Sequence, residues 1–380
     1  MSSSYPELDP VALRPTVAFV DRGALRHNVT AVKRAAGERR LMAIVKANAY
    51  GHGLIETAQT FLAAGVDELG VAFLEEGVQL RRAGIRVPIL VLGGIIGNQI
   101  SHFIEYDLGI TASSPYKLRQ IEEVCQVTGR QAQVHLKIDT GMGRIGVQWD
   151  RVDALVEAAM MVKNVSLRSV FTHFASADSR DLSFTRLQIE RFAQALSRWE
   201  SRGFHIPQVH VGNSGALLQH DLGKSQLVRP GALLYGFYPS PEVARSIEVR
   251  PALSLKTRVV YFKVLGPDSP ISYDGRYRTA RQSRIVTLPV GYGDGYLRAL
   301  SNKAEVLIGG QRRRVVGSIT MDAMMVELGD ASAFNGDEAV LIGKQGSEEV
   351  RVEELAERAG TIPYEILTNI NTRVPRVYVG

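Results

Sequence analysis

From residue 41 onward the chain alternates short apolar runs with longer stretches in which apolar residues recur every three or four positions. The runs cover residues 41–47, 68–73, 88–93, 108–112, 133–139, 167–173, 208–212 and 227–236. Runs of this length, rich in Val, Ile and Leu, suit strands buried on both faces, and the stretches between them have the period of amphipathic helices. After the sixth run Ile189, Phe192, Leu196 and Trp199 share one helical face, and residues 115–128 carry another helical pattern. Eight strands, each followed by a helix-length segment, predict an α/β fold with a (β/α)8 TIM barrel. An open doubly wound sheet has the same order of elements, but no Gly-x-Gly-x-x-Gly turn follows an early strand.

The pattern changes between residues 237 and 251, where Pro239, Pro241 and Pro251 punctuate a polar stretch that reads as a linker. Beyond it, apolar runs at 254–264, 284–290, 304–308, 314–319, 324–328 and 338–342 follow closely on glycine-bearing turns, with a helical interlude at 352–359. The expectation is a barrel over residues 12–240 followed by a C-terminal mostly β domain over 241–380. A strand at 16–21 fits either domain, so the N-terminal segment 1–22 is free to join the second.

At 380 residues the chain has room for two domains, and 45% hydrophobic with 22% charged residues is the make-up of a soluble globular protein. The net charge is +6, yet the basic residues are scattered and the one dense run is Arg312-Arg313-Arg314. A solvated basic face accounts for that better than nucleic acid does, so no nucleic-acid partner is expected. Cys125 is the single cysteine, which excludes an intrachain disulfide and suits a reducing compartment. The first ten residues lack an apolar signal core, and the longest apolar run, 89–97, is too short to cross a bilayer. A cytoplasmic protein with no membrane partner and no metal is expected.

In a barrel the reactive groups lie at the C-terminal ends of the strands. Lys46 follows Leu41-Met42-Ala43-Ile44-Val45 and precedes Ala47-Asn48-Ala49-Tyr50-Gly51-His52-Gly53. At the end of a buried strand an ammonium is partly desolvated, its pKa drops below about 10.4, and the neutral amine becomes a nucleophile toward carbonyls. A lysine that snorkels to the surface is the other reading of the same stretch. Lys137 and Arg144 bracket the end of the fifth strand, where Lys137-Ile138-Asp139 runs into the glycine-rich loop Thr140-Gly141-Met142-Gly143-Arg144, whose arginine is a planar fork suited to carboxylates, although such loops are often only structural. His173 ends the sixth strand, where a lone histidine is more often a hydrogen-bonded core residue than a catalyst. Asn213-Ser214-Gly215 and Arg229-Pro230-Gly231-Ala232 offer small residues and backbone N–H groups at helix starts, a setting for phosphate or for ordinary capping.

Together these strings closely resemble those of the alanine racemases, over nearly the whole chain from Arg14-Pro15-Thr16 to Arg373-Val374-Pro375-Arg376. The resemblance implies an isomerase that interconverts L- and D-alanine through pyridoxal 5'-phosphate (PLP), for peptidoglycan synthesis or alanine catabolism. Lys46 matches the lysine that holds the cofactor and moves a proton on one face of the substrate. Tyr273, in Ile271-Ser272-Tyr273-Asp274-Gly275-Arg276-Tyr277, matches the catalytic tyrosine on the other face, which in the family comes from the second subunit of a homodimer. An ordinary phenol, of pKa about 10, is a weak base at neutral pH, so cations nearby, with His173 hydrogen-bonded to Arg229, are expected to favour the phenolate.

The same resemblance assigns the remaining residues. Tyr50, Asn213, Ser214, Gly231, Ala232 and Tyr364 match contacts to the cofactor phosphate, and His173 matches a histidine beside the cofactor. Arg144 matches an arginine that reaches the cofactor's phenolic oxygen and the substrate carboxylate, propped in the family by a lysine, here Lys137, that is often carbamylated. Arg229 matches the residue facing the pyridine nitrogen, Tyr292 lines the entrance, and the Met321 N–H meets the substrate carboxylate. Departures are Asp274 where glycine is common, Ala232 where a larger aliphatic is frequent, and Thr320 where cysteine is frequent. They bear on kinetics and local packing. An amino-acid decarboxylase of the same architecture is the next reading, but that class matches an acidic residue at Arg229. A PLP-binding protein without enzymatic activity resembles a lone barrel and leaves Tyr273 without a purpose.

Overall fold

Eight short strands pair in parallel, each with the next in sequence: β1 (Arg40–Ile44), β2 (Glu68–Val71), β3 (Ile89–Val91), β4 (Gly109–Ala112), β5 (Ala132–Asp139), β6 (Val165–Phe171), β7 (Val209–His210) and β8 (Leu227–Val228). β8 returns to β1, with Leu227 opposite Arg40, so the sheet closes and the predicted barrel is present without a free edge. The computed structural model describes residues 14–380; the polar segment 1–10 and the expected domain start at residue 12 lie outside the described residues. By contact the chain falls into two units. One holds Leu25–Ala49 and Gly53–Arg250; the other holds the described residues up to Ala24, Tyr50–His52 and Pro251–Gly380.

Local chemistry explains the barrel's elements and where they stop. The helix Pro115–Thr128 has Ser114 as its N-cap, accepting from the Lys117 N–H at 3.1 Å, proline in its first turn, and Gly129 in the left-handed conformation at its end. Its buried face is Leu118, Ile121 and Cys125. The helix Ser183–Ser201 buries Phe192 and Trp199, and the indole N–H of Trp199 donates to Val152 O at 3.2 Å. The run at 227–236 is not one strand: the ladder stops after Val228, and Ala232–Tyr235 is helical. Pro230 has no N–H to continue the ladder, and Gly231 turns the chain at φ −120° and ψ −86°. Likewise β1 ends at Ile44, short of residue 47, because a left-handed turn begins just beyond it. Between β5 and β6, Val134 faces Leu167 but His135 faces Ser169, so Arg168 is an extra, exposed residue and the strand is bulged.

The second unit is built on a ten-stranded sheet. Its strands run in the order Tyr261–Leu265, Ser283–Leu288, Met324–Gly329, Gln311–Val316, Glu305–Ile308, Glu338–Gln345, Leu253–Arg258, Val17–Asp21, Arg376–Val379, with Glu348–Val350 added beside Glu338–Gln345. Strand Val17–Asp21 therefore lies in this sheet, antiparallel to Leu253–Arg258 and parallel to Arg376–Val379. The helix Val352–Ala359 follows the sheet, as its period predicts, and Pro363–Asn369 adds a second helix. Arg312, expected on a solvated basic face, instead pairs with Glu305, Glu348 and Glu354 at 3.2, 3.1 and 2.7 Å. Strand alternation turns it toward these acids, which the run of three arginines in sequence does not reveal. Among the described residues no helix is long and apolar enough to cross a membrane, and no three His, Cys, Asp or Glu side chains are grouped to hold a metal ion.

Candidate active site

Lys46 sits where β1 gives way to an unusual turn. Ala47, Asn48, Ala49 and Tyr50 all have φ between 51° and 54°, the left-handed region, which costs L residues about 1–2 kcal/mol each. Hydrogen bonds hold the turn. The Ala49 N–H donates to Val45 O and the Gly53 N–H to Asn48 O, both at 2.9 Å, and Asn48 Oδ1 accepts from the Leu54 N–H. Glu76 is a clamp that the sequence reading did not single out: Oε1 accepts from the Ala47 N–H at 2.6 Å, and Oε2 accepts from the Ala72 N–H at 2.7 Å. Burial lowers the Lys46 pKa, the Arg144 charge lowers it further, and the Glu76 carboxylate opposes both. The neutral amine is thereby easier to reach than in an exposed lysine.

Tyr50, Gly51 and His52, the end of the same string, group with the second unit. There the ring of Tyr50 packs against Tyr364, centroids 5.7 Å apart at 48°. Gly51 O accepts from Arg376 Nε and His52 O from the Tyr378 hydroxyl, each at 3.0 Å. Gly51 has φ 81°, and a Cβ on it would lie 2.1 Å from Leu367 O, so only glycine fits.

At the C-terminal ends of β5 to β8 the sequence candidates converge around Phe171. Lys137 Nζ lies 4.4 Å and the Arg229 guanidinium carbon 5.4 Å from its ring centroid, and the ring of His210 stacks on it at 4.7 Å and 8°. Arg229 is 3% exposed and donates to His210 Nδ1 at 2.8 Å, Thr172 O at 2.7 Å and Val211 O at 3.1 Å. Its Nε has no acceptor among the described residues. Burial draws Arg229 down to about 9. Lys137 is pushed well below the ordinary lysine range by burial, then by the Arg229 and Arg144 charges. His173 is held neutral by burial and then by Lys137 and Arg229.

The expected hydrogen bond between Arg229 and His173 is absent, and His210 makes it instead. His210 lies on β7, next to β8 in the sheet, whereas His173 lies two residues past the end of β6. His210 was legible only as a polar residue inside the apolar run 208–212, a weak signal.

The glycine-rich loop is held by Asp139, whose carboxylate accepts from the N–H groups of Gly141, Met142 and Gly143 at 2.9 to 3.2 Å, leaving Arg144 exposed beyond them. Asn213 does cap the helix Ser214–Gln219, accepting from the Ala216 N–H at 2.9 Å. Ser214 Oγ accepts from the Gly231 N–H at 3.0 Å and the Leu233 N–H at 3.4 Å, which joins two helix starts and sets Asn213, Ser214, Gly231 and Ala232 side by side.

The candidates of the second unit form their own cluster. Tyr273 lies between the hairpin strands Pro270–Ile271 and Tyr277–Arg278, flanked by left-handed Ser272 and Asp274. Ser272 Oγ donates to Ser318 O at 2.7 Å, and the N–H groups of Tyr292 and Gly293 donate to Thr320 O and Met321 O at 3.0 and 2.9 Å, so the three loops are tied together. Thr320 Oγ1 donates to Ala323 O and accepts from its N–H, which shapes the turn that presents Met321. Tyr273, Tyr292 and Met321 are 69%, 42% and 53% exposed, and the Met321 N–H has no acceptor among the described residues. Buried Asp294 anchors the cluster through Arg14 at 2.7 Å and Arg373 at 3.3 Å, and Arg373 also holds Asp322 at 2.6 Å.

Comparison with known proteins identifies the family. The family model for the alanine racemase N-terminal domain matches residues 20–239, and that for the alanine racemase C-terminal domain matches residues 252–378. The chain is 46% identical over 374 residues to an alanine racemase of Symbiobacterium thermophilum, covering 98% of this chain and 99% of that protein. It is 43% identical over 369 residues to an alanine racemase of Carboxydothermus hydrogenoformans, covering 97% and 100%. Among solved structures, alanine racemase from Streptomyces coelicolor superposes with a TM-score of 0.92 at 36% identity, covering 98% and 100% of the two chains. The Bacillus anthracis alanine racemase, solved with bound L-Ala-P, gives 0.91 at 37% identity, covering 97% and 95%. With both domain models matched in order and relatives of this identity over almost its full length, the chain belongs to the alanine racemase family of isomerases.

Proposed function

We propose that this enzyme interconverts L-alanine and D-alanine with pyridoxal 5'-phosphate as cofactor, supplying D-alanine for peptidoglycan or serving alanine breakdown. The observation that carries the reading is a lysine whose ammonium is disfavoured by burial and by Arg144, in the same barrel mouth as a buried arginine whose Nε is unshared. These residues fit the cofactor by their own chemistry. Its aldehyde calls for an unprotonated amine, which Lys46 offers. Its phosphate calls for N–H and hydroxyl donors, offered by Asn213, Ser214 and Ala232 at the two helix starts that the bond from Gly231 to Ser214 joins, and the resemblance adds Tyr50 and Tyr364. Its ring nitrogen calls for a donor, and Arg229 Nε is one. Bound there, the cofactor would supply an electron sink that acidifies the Cα–H of a linked amino acid.

The chain's own residues then decide what happens at that carbon. Arg229 cannot take a proton from the ring nitrogen, and its charge disfavours a second one beside it, which weakens the sink and suits return of a proton to the same carbon over transamination. The Arg144 fork and the Met321 N–H would hold the substrate carboxylate, with Tyr292 at the entrance and Tyr364 narrowing it. Lys46 Nζ would take or give the Cα proton on one face and the Tyr273 hydroxyl on the other. His173 would sit in the hydrogen-bond network beside the cofactor. Lys137, disfavoured as an ammonium, is a candidate for carbamylation by carbon dioxide, which would place an anion beside Arg144 and Arg229.

Tyr273 is assigned to the active site of a second copy, and the working form to a homodimer with an isologous interface. The exposure of Tyr273, Tyr292 and Met321 on one loop cluster supports a covered surface there. The buried single cysteine suits a reducing, cytoplasmic setting. The test is chiral chromatography of L-alanine incubated with protein and pyridoxal phosphate, beside L-serine and L-lysine. D-alanine rising toward an equal mixture ahead of the others, and absent with Lys46→Ala, is the expected outcome; an amine product in place of D-alanine would replace this reading with decarboxylation.

A further inference from the structure

Below the barrel mouth, on the face shared by His135, Ser169 and His210, runs a hydrogen-bonded row that the chemistry above does not use. Arg229 Nη1 donates to His210 Nδ1 at 2.8 Å, His210 Nε2 lies 2.7 Å from Ser169 Oγ, and Ser169 Oγ lies 2.6 Å from His135 Nδ1. The four residues are 3%, 0%, 1% and 7% exposed. An arginine nitrogen can only donate, so His210 Nδ1 presents a lone pair and its proton is on Nε2. That Nε2–H donates to Ser169 Oγ, and the serine hydrogen is left to donate to His135 Nδ1. Each link has one donor and one acceptor, all pointing from Arg229 to His135.

Three local features build the row. The bulge at Arg168 shifts the pairing so that Ser169 comes opposite His135. Gly109 leaves room for the histidine, since a Cβ there would lie 3.0 Å from His135 Nε2. Phe171 stacks on His210 at 4.7 Å and fixes the plane of its ring, while the two histidine rings meet edge to face at 5.9 Å.

We propose that Ser169 and His135 are positioning residues for the reaction: Ser169 Oγ, aimed by its bond to His135, holds the His210 ring through Nε2–H, so that Nδ1 stays in line to accept from Arg229 and the guanidinium is fixed with Nε unshared. The proposal rests on the function above only in taking Arg229 as the partner of the cofactor ring. Arg229, which can only donate, keeps the His210 proton on Nε2 even without the serine oxygen, so that loss leaves a buried N–H with no acceptor and a ring held at one end only. Burial already draws Arg229 down to about 9, so it is the group in the row least able to lose an acceptor.

The experiment uses full-length protein loaded with pyridoxal phosphate and labelled with 15N-histidine, the His210 ring signals being identified by their absence in His210→Gln. In the unsubstituted protein Nε2 is expected to carry the proton and Nδ1 to be bare between pH 6 and 8. Ser169→Ala is expected to shift the Nε2 and Nε2–H signals, their hydrogen bond being lost, and to lower kcat about tenfold with KM for alanine within about twofold, while Ser169→Thr, which keeps the oxygen, restores both. Unchanged Nε2–H signals in Ser169→Ala, or shifted signals with unchanged kcat, overturns the proposal. If the unsubstituted protein fails to racemise alanine, the proposed function falls instead, and the ring signals still decide whether Ser169 holds the His210 ring.

Discussion

At Lys46 and Arg229 positive charge stands where burial disfavours it, and the consequences differ because the side chains differ. The lysine can lose its proton and become a nucleophile, and the Arg144 charge pushes it the same way. The arginine spreads its charge over a plane with three hydrogen bonds and keeps one nitrogen unshared. Lys46, Arg144 and Arg229 were legible in the sequence because each stands in a distinctive string within or just past an apolar run. His210 and Glu76 were not: one is a histidine within a strand, the other an ordinary helix-start glutamate, and only the fold brings them to Arg229 and Ala47. If Lys46 and Tyr273 serve opposite faces of the substrate, Tyr273→Phe should slow exchange of the Cα hydrogen with heavy water much more from L-alanine than from D-alanine. Equal losses from the two enantiomers would undo that division of roles.

Among the elements, all eight barrel strands and the helices Pro115–Thr128 and Val352–Ala359 were legible, since periodicity reports burial directly. Strand ends were less so. The left-handed turn after Lys46 depends on the Glu76 clamp from a distant helix, and the register shift at Arg168 has no signature in apolar pattern. β5 and β7 also bury histidines, and this has a cost in acid. Burial is the main reason that His135 is pushed down to about 3 and His210 well below its usual range. Both are neutral in the folded and unfolded chain above about pH 6.5. As pH falls below that value the unfolded chain takes up protons that the folded barrel refuses, so stability drops by about 1.4 kcal/mol per pH unit for each histidine. For His135 the loss continues until pH nears about 3. Denaturant midpoints should therefore fall between pH 7.5 and 5, and less steeply in His135→Asn; the same slope in both proteins would show that His135 titrates normally when folded.

For the whole molecule, the second unit draws on both ends of the described chain, with Val17–Asp21 lying between Leu253–Arg258 and Arg376–Val379. A sequence read in order left that strand free to join either domain, because pairing across so long a separation leaves no local trace. The loop cluster that exposes Tyr273, Tyr292 and Met321 gives the molecule a surface that one chain leaves uncovered. In the account above a second copy covers it, and Lys46 of one chain works with Tyr273 of the other. The most direct measurement co-expresses two weakened chains, Lys46→Ala and Tyr273→Phe, and compares alanine racemisation with that of each variant alone. Half the dimers then join unlike chains, and one of their two sites is intact, so roughly a quarter of the unsubstituted rate should return. Activity no higher than the mean of the two separate variants, with mixed dimers present, would contradict the shared site and place Lys46 and Tyr273 in the service of one and the same chain.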